Sequence, residues 1–359
     1  IQPVSHVTLH DIAKAARVSV ATASLAMNDN PRVALDTRIR IREIAKRLNY
    51  SPNAMARGLV SRRSAVVGLV IPSVRNPYFA RVAESVERAV RAAGYNLLIA
   101  TTDEDPQRER EALRLLIGHR VEGLIVTSCS PGGAEFAGLP RDFPLVLLGR
   151  RIDGVGTDFL AVDHEHGAHE AVAHLLNGGY RRIALVTGPL QLSDARSRVE
   201  GYRRALAARG IAVDESLIVE GDFSDHSGQR AINLLLDRDP RPDAVFISNI
   251  LMLQGALRVL NQRAIVVPDE LAVIANDRSD WAELLRVPIT TVEQPTDSMG
   301  SIAAEMLLRR IGNRGHVREA VELKPTLVIR DSSRPAARRA ESQGLLAQAA
   351  EPHPHSLRD

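Results

Sequence analysis

The chain has 359 residues and a formal net charge of +3, and 45% of its residues are apolar. This length exceeds one ordinary domain and allows several buried cores. One cysteine excludes a disulfide framework and a Cys-x-x-Cys motif. The sequence has no apolar run long enough to cross a bilayer and no amino-terminal apolar signal segment, so we expect a cytoplasmic protein without membrane contact.

The first 63 residues are strongly basic. They contain eleven Lys or Arg against four Asp or Glu, a net charge of +7, which leaves about −4 for the rest of the chain. A basic segment attached to a mildly acidic body is the asymmetry expected when one end of a protein meets nucleic-acid phosphates. A surface-charged helical bundle that binds another protein is the alternative interpretation of the same charges.

Two short helices separated by a tight turn are predicted within residues 8–28. Thr8 and Asp11 form a capping-box pattern, and Ser19 is an N-cap candidate for the second helix. A third helix is predicted over 35–48 from the helical spacing of its apolar residues. Such a helix-turn-helix places the first side chains of its second helix in the DNA major groove. These side chains are Ser19, Val20, Ala21, Thr22 and Ser24.

Strand-like apolar runs alternate with amphipathic helices through most of the remaining chain. The predicted elements are 66–71 and 79–93, 96–100 and 108–119, 124–127, 183–187 and 198–209, and 244–247 and 253–261. This alternation predicts parallel sheets with helices on both faces, and the length suits two α/β lobes. Ligands of such sheets bind at the carboxyl ends of the strands, here in a cleft between the lobes.

The order of these segments resembles the lactose/purine repressor (LacI/GalR) family over residues 7–335. Matching segments include 50–59, 67–72, 76–79, 121–125, 178–184, 198–202, 268–274 and 290–295. The resemblance implies an all-α helix-turn-helix head (1–50), a hinge helix or linker (51–63), a periplasmic-binding-protein-like core (64–332) and a flexible tail (333–359). The core would form two lobes, 64–164 with 293–332, and 165–292.

The resemblance also implies which residues contact DNA. Thr8 and Ser19 match positions that contact phosphates, and Leu59 matches a leucine that wedges into the minor groove. The remaining expected contacts in the head and the hinge are Val20, Ala21, Thr22, Ser24, Leu25, Asn53, Ala56 and Arg57. Leu25 replaces an arginine that reads guanine in some members, so it is expected to touch a thymine methyl group or to pack.

A further departure from the family pattern is Arg17. It occupies a turn position where many members have Gly or Asn, and the sequence therefore predicts mild strain at a positive φ.

An effector site in the cleft is the second implication of the resemblance. Its expected residues are Tyr78, Phe79, Arg150, Arg198, Phe223, Asn249 and Asp277. Arg198 is suited to bidentate contacts with ligand hydroxyls or a carboxylate. The few carboxylates and several aromatic groups leave sugar, nucleobase and aromatic-acid ligands open, and we expect a sugar or sugar derivative.

The resemblance implies a transcriptional regulator, with a repressor as the favoured interpretation. The protein would not be an enzyme and would use no cofactor or metal. Its partners would be a near-palindromic double-stranded DNA operator, the effector, and a second copy of the chain in a homodimer, with a tetramer as the larger alternative.

Two other classes of protein are alternatives. An α/β enzyme could use the run Asp163-His164-Glu165-His166 as a metal site, but no histidine pair has the spacing of an H-E-x-x-H helix. A solute-binding protein would share the two-lobed core, but the basic head would then have no purpose.

Overall fold

The computed structural model describes residues 7–50 and 64–334, apart from residues 141, 153 and 314. The chain divides into two compact units, 1–65 and 66–359. The expected DNA contacts Asn53, Ala56, Arg57 and Leu59, and the tail from residue 335 onward, lie outside the described residues.

The first unit is a three-helix bundle. Its helices are α1 (Leu9–Ala16), α2 (Val20–Met27) and α3 (Leu35–Arg47), in agreement with the prediction. Side chains from all three helices form one small core, which contains Ile12, Ala16, Ala26, Val33, Ile41, Ile44 and Ala45.

The helix starts and the turn of this bundle follow from local hydrogen bonds. The side chain of Asp11 accepts a hydrogen bond from the backbone N–H of Thr8 at 2.8 Å, which completes the predicted capping box. The Ser19 hydroxyl accepts from the backbone N–H of Thr22 at 3.0 Å and begins α2. Arg17 ends α1 in the left-handed conformation with φ 55°, as the turn requires.

The second unit contains two six-stranded sheets. The strands are β1 (Val66–Ile71), β2 (Asn96–Thr101), β3 (Leu124–Val126), β4 (Leu145–Leu148), β5 (Asp158–Val162), β6 (Ile183–Thr187), β7 (Ile218–Glu220), β8 (Ala244–Ile247), β9 (Ala272–Asn276), β10 (Thr290–Glu293), β11 (Ala320–Leu323) and β12 (Thr326–Val328). The first sheet has the order β11-β5-β4-β3-β1-β2 and is parallel throughout. The second has the order β12-β10-β9-β8-β6-β7 and is parallel except for β12.

Helices cover both faces of each sheet, as the sequence predicts. They are α4 (Pro77–Ala92), α5 (Pro106–Gly118), α6 (His164–Asn177), α7 (Ser193–Ala207), α8 (Asp225–Leu236), α9 (Ile250–Gln262), α10 (Asp280–Glu283) and α11 (Thr296–Gly312). Alternate residues of β1 enter different cores: Leu69 packs with α4 and α11, whereas Val70 packs with α5. This division follows from the two-residue period of a strand.

Four helices begin earlier than predicted, because the apolar periodicity starts inside each helix. Asp105 caps α5 through the N–H of Gln107 at 2.7 Å, so α5 begins at Pro106 and not at residue 108. The other three are α4, α9 and α7. The side chain of Asn76 accepts from the N–H of Tyr78 at 3.0 Å, so α4 begins at Pro77 and not at residue 79. Asn249 caps α9 through the N–H of Met252 at 2.7 Å, three residues before the predicted start. The third, α7, begins at Ser193 and not at residue 198.

The expected division of the carboxyl-terminal segment between the lobes was wrong. Residues 293–332 were all assigned to the first lobe, but only α11 and β11 belong there. The chain returns to the second lobe after β11, and β12 pairs antiparallel with β10, with Val292 opposite Leu327. Only residues 324 and 325 separate β11 from β12, so two neighbouring strands extend two different sheets.

The expected start of the tail was also too early. Ser333 is fully buried, and its hydroxyl lies 2.6 Å from the Thr290 hydroxyl and 2.8 Å from His174 Nε2. The hydroxyl of the neighbouring Ser332 donates to the backbone carbonyl of Val273 at 2.6 Å. These bonds attach residues 331–333 to the second sheet.

Candidate functional site

A cavity of about 340 Å³ lies between the two lobes of the second unit. It is lined by residues that directly follow strands of both sheets: Pro72, Thr127, Ser248, Asp277 and Gln294. In each sheet the first strand has the second and third strands on either side, and the crevice at such a switch point is where open α/β sheets bind ligands. The strand order of the two sheets therefore explains the position of the cavity.

All seven residues expected in an effector site line this one cavity. They are Tyr78, Phe79, Arg150, Arg198, Phe223, Asn249 and Asp277. They come from strand ends and helix starts that are far apart in sequence, and the fold brings them together.

An acidic side chain that sequence analysis did not select, Asp194, connects the two buried arginines. Its Oδ2 lies 3.1 Å from Arg198 Nη1, and its Oδ1 lies 3.3 Å from Arg150 Nε. Arg150 also donates to both carboxylate oxygens of Glu104, at 2.6 and 2.8 Å. The guanidinium of Arg150 therefore joins the first lobe, through Glu104, to the second lobe, through Asp194.

Asp194 is ionised in this setting. Burial on its own would raise the pKa of its carboxyl, but the charges of Arg150 and Arg198 are stronger and hold that pKa well below its usual range. For Arg150, burial opposes the charged form, whereas Asp194 and Glu104 raise its pKa overall. The cluster is a fully charged, internally compensated network.

His164, at the start of α6, is the second buried contact of Arg198. Its Nδ1 lies 3.3 Å from Arg198 Nη2. Burial, reinforced by the charge of Arg198, lowers the pKa of His164 to about 3, so the imidazole is neutral. Because an arginine can only donate, Nδ1 is the acceptor and Nε2 carries the proton. His164 therefore adds no charge to the cavity.

Asp277 is a buried carboxyl on the opposite wall. Its Oδ1 accepts from Gln294 Nε2 at 2.5 Å and from Asn276 Nδ2 at 2.8 Å. Burial is the dominant influence and raises the pKa of Asp277 to about 6. The backbone at this residue has φ 78°, a conformation that Asp and Asn tolerate better than most residues.

Three aromatic rings contribute apolar surface. Tyr78 and Phe79 meet edge to face with ring centroids 4.8 Å apart, and the guanidinium of Arg150 lies 5.4 Å from the ring centroid of Phe223. Phe223 therefore stacks across the cleft against a side chain of the other lobe. The Tyr78 hydroxyl is 3.5 Å from the sulfur of Met299.

Asn249 lines the cavity, but its side-chain amide is used in hydrogen bonds within the protein. Its Nδ2 donates to the carbonyl of Phe223 at 3.0 Å, and its Oδ1 caps α9. Both ends of its amide are occupied, so Asn249 orders the loop that carries Phe223.

Several polar atoms in the cavity wall have no hydrogen-bond partner among the described residues. They are Thr127 Oγ1, Ser248 Oγ, Arg198 Nε, Gln294 Oε1 and Asp194 Oδ1, whose contact with Arg150 is an ion pair without hydrogen-bond geometry. Buried polar atoms are nearly always hydrogen-bonded in folded proteins. Two hydroxyls, one N–H donor and one amide oxygen in one cavity favour a ligand that carries several donors and acceptors.

Sequence analysis selected seven of the residues that line this cavity, and six of those it did not select carry the polar contacts and unpartnered atoms described above. These six are Glu104, Thr127, His164, Asp194, Ser248 and Gln294. A positional signal was present for three of them, because Thr127, Ser248 and Gln294 immediately follow strands. His164 was considered only as a metal ligand, and Asp194 lies in a helical turn without any sequence motif.

The head exposes the start of α2. Ser19, Val20 and Ala21 are exposed, and 38% of the surface of Val20 is accessible. Thr22, Ser24 and Leu25 are half-buried, and Leu25 packs against the small core. Thr8 is exposed at the start of α1. The exposed amino-terminal turn of α2 is the part of the helix expected to face DNA bases.

Over residues 7–50 and 64–334, no three His, Cys, Asp or Glu side chains are arranged to hold a metal ion. Within the same part of the chain, none of the helices combines the length and the apolar character needed to span a membrane.

Comparison with known families gives two matches. Residues 8–53 match the family described as "Bacterial regulatory proteins, lacI family", and residues 172–333 match "Periplasmic binding protein-like domain". The chain is 32% identical to the catabolite control protein A of Priestia megaterium, over 92% of this chain and 100% of that protein. It is 33% identical to the ribose operon repressor of Haemophilus influenzae, over 90% of this chain and 98% of that protein.

Solved structures agree with these relatives. A complex of the transcriptional regulator CelR with cellobiose is 32% identical, with a TM-score of 0.68 over 91% of this chain and all of that one. The lac repressor dimer bound to operator and an anti-inducer shares the fold, with a TM-score of 0.78 over 92% of this chain and all of that one, at 24% identity. The chain belongs to the lacI family of bacterial regulatory proteins and is a DNA-binding transcriptional regulator.

Proposed function

We propose that this regulator is a homodimeric repressor whose binding to a near-palindromic operator is controlled by a sugar-like effector in the cavity between its lobes. The observation that carries the proposal is the cavity itself, where buried arginines, aromatic rings and unpartnered hydroxyls converge. We also assign the protein to the cytoplasm, where it would meet its operator.

The head supplies the proposed DNA contacts. The exposed Ser19, Val20 and Ala21 would enter the major groove, with Thr22, Ser24 and Leu25 behind them. Thr8 and Ser19 lie at the amino termini of α1 and α2, where free N–H groups favour phosphate. Asn53, Ala56, Arg57 and Leu59 are proposed to follow in the minor groove, with Leu59 as the wedge.

A sugar suits the chemistry of the cavity wall. Sugars present apolar C–H faces to aromatic rings, which Phe79 and Phe223 would supply, and hydroxyls that both donate and accept. Ser248, Thr127 and Gln294 carry the unpartnered atoms that such hydroxyls would complete. The similar CelR protein was solved as a cellobiose complex, which supports the same ligand class here.

Dimerisation is supported by the edge strand β2. Its apolar side chains Leu98 and Ile99 are 38% and 46% exposed, and an exposed apolar edge strand favours pairing with another chain. Two copies would present two heads to two half-sites. If the effector binds one arrangement of the lobes more tightly than another, and the two arrangements hold the heads differently, effector binding changes the affinity for the operator. The size of this change is the coupling free energy between the two sites.

A gel-shift titration tests the proposal. The full chain is incubated with its own upstream DNA and with a panel of neutral mono- and disaccharides, purines and aromatic acids. We expect one sugar to change the apparent operator affinity, and Arg198→Ala to lose this response while it keeps effector-free DNA binding. Glu200→Ala, an exposed substitution on the same helix, is the matched control. An effector response that survives in Arg198→Ala would place the ligand elsewhere.

A further inference from the structure

Asp194 has an unusual position for an acidic group in a ligand cavity. Its side chain is 10% exposed, and its two oxygens face two different arginines, Arg198 at 3.1 Å and Arg150 at 3.3 Å. Two buried arginines in a cleft would ordinarily form an anion site, because guanidinium groups bind carboxylate and phosphate in a bidentate manner. In this chain Asp194 already occupies the place of that anion.

The remaining charges of the cavity reinforce this effect. Glu104 binds the other side of Arg150, so neither arginine presents an uncompensated charge. The cavity is lined by three arginines, Arg75, Arg150 and Arg198, and by six acidic residues, Asp103, Glu104, Asp194, Asp222, Asp225 and Asp277. Three of these acidic residues, Asp103, Asp222 and Asp225, pair with arginines that do not line the cavity. An anionic ligand would therefore find the two buried arginines, its natural counter-ions, already paired with carboxylates.

We propose that Asp194 is the charge selector of the cavity, which makes the site specific for uncharged polyhydroxylated ligands and closes it to sugar phosphates, uronic acids and aromatic acids. This inference rests on the proposed function only in placing the effector in this cavity. It narrows the ligand classes that sequence analysis left open.

The groups that are still available for a ligand agree with an uncharged partner. Arg198 Nε can donate, while Gln294 Oε1 can accept. Thr127 and Ser248 can do either. A ligand with several hydroxyls, which both donate and accept, satisfies this set without bringing a charge that needs a free counter-ion.

The test is a change of ligand charge preference in Asp194→Asn. This substitution preserves shape and removes the anion that neutralises the two arginines. We expect Asp194→Asn to bind inorganic phosphate at least about tenfold more tightly than the wild type, measured by isothermal titration calorimetry and by the shift in melting temperature. Glu200→Gln removes one negative charge from the same helix outside the cavity and should not change phosphate affinity.

Two further variants keep the result interpretable. Glu104→Gln removes the other carboxylate partner of Arg150. The Glu104 side chain is 19% exposed. This variant should also bind phosphate more tightly, and it provides the test even if Asp194→Asn does not fold. The double variant Asp194→Asn/Arg198→Gln removes one charge of each sign and should return phosphate affinity to the wild-type value.

A matched ligand set completes the experiment. Each neutral sugar is compared with its phosphate and its uronic acid on the wild-type chain. Preference of the wild type for the anionic member, or equal phosphate affinity in the wild type, Asp194→Asn and Glu104→Gln, would overturn the assignment of Asp194. The phosphate titration requires no known effector, so the two proposals are tested separately. Operator binding that responds to no sugar would refute the proposed function, whereas the phosphate affinities of the variants decide the role of Asp194.

Discussion

Arg150 and Asp194 form an ion pair across the cavity, with 3.3 Å between Nε and Oδ1, and each belongs to a different lobe. Arg150 is 4% exposed and Asp194 is 8% exposed, so both charges have given up most of their hydration. Removing one member of such a pair leaves the other buried without its full compensation.

Arg150→Gln is therefore expected to lower the free energy of unfolding of the core by about 3 kcal/mol. Urea unfolding followed by the fluorescence of Trp281, the single tryptophan, measures this change. Arg203→Gln, which breaks the exposed pair with Glu215, should have little effect because solvent screens exposed charges. A loss below about 1 kcal/mol for Arg150→Gln would show that the contact between the lobes contributes little.

The stability of the core should depend on pH through Asp277. Its pKa rises from 3.8 to about 6 on folding because the carboxyl is buried. The folded protein therefore holds a proton that the unfolded chain releases, and the free energy of unfolding falls as pH rises between these values, by about 3 kcal/mol in total. In Asp277→Asn this dependence should disappear, and Asn also tolerates φ 78°.

Urea unfolding at pH 4, 5, 6 and 7 gives the free energy of unfolding of the wild type and of Asp277→Asn. The value for Asp277→Asn should increase relative to that of the wild type as pH rises. Asp280→Asn, an exposed substitution three residues away, should retain the wild-type pH dependence. A difference that is constant over this range would contradict the burial argument.

Gly188 controls the position of Phe223. A Cβ at residue 188 would collide with the Phe223 ring, so Gly188→Ala should push the ring away from Arg150 and reshape the cavity. We expect about a tenfold loss of effector affinity in calorimetry, with effector-free operator binding unchanged. Gly118→Ala adds a methyl group where no atom lies within 4 Å and serves as the control. Unchanged affinity in Gly188→Ala would exclude Phe223 from the ligand wall.

Arg17→Gly should affect stability and DNA binding in opposite directions. Arg17 has φ 55°, and glycine at this position removes a steric cost of about 1 kcal/mol. Hydrogen exchange of the α1 and α2 amides should become slower accordingly. The exposed cation of Arg17 adds to the positive charge that attracts phosphates, so its loss should weaken DNA binding and reduce the salt dependence of the affinity. Arg17→Lys keeps both the strain and the charge, and its exchange rates and salt dependence should match the wild type.

Local features of this chain were predictable from the sequence. The caps at Thr8 and Ser19 and the three-helix core depend on residues close together in the chain, and the structure agrees with them. The strands β1, β6 and β8 were also predictable, since four or more consecutive apolar residues leave few alternatives, although β4 and β9, which are equally buried, were not predicted. The clustering of Arg198 and Asp277 in one cavity followed from the family resemblance and the strand order.

The contacts of Asp194 were not predictable by the same reasoning. Asp194 and Arg150 are separated by more than forty residues and lie on different lobes, so their pairing depends on how the lobes meet. The return of the chain through residues 324 and 325 to form β12 likewise has no local sequence signal. Both features arise from tertiary contacts that periodicity and capping do not encode.

The return of the chain at residues 324 and 325 has a mechanical consequence. The lobes are connected three times, after β5, after β10 and between β11 and β12, and all three connections are short. A rotation that opens the cavity must bend three short segments together, so we expect twisting and sliding of the lobes to be restrained and opening about one shared axis to need the least energy. A ligand that contacts both lobes would then change the angle between them in one defined way.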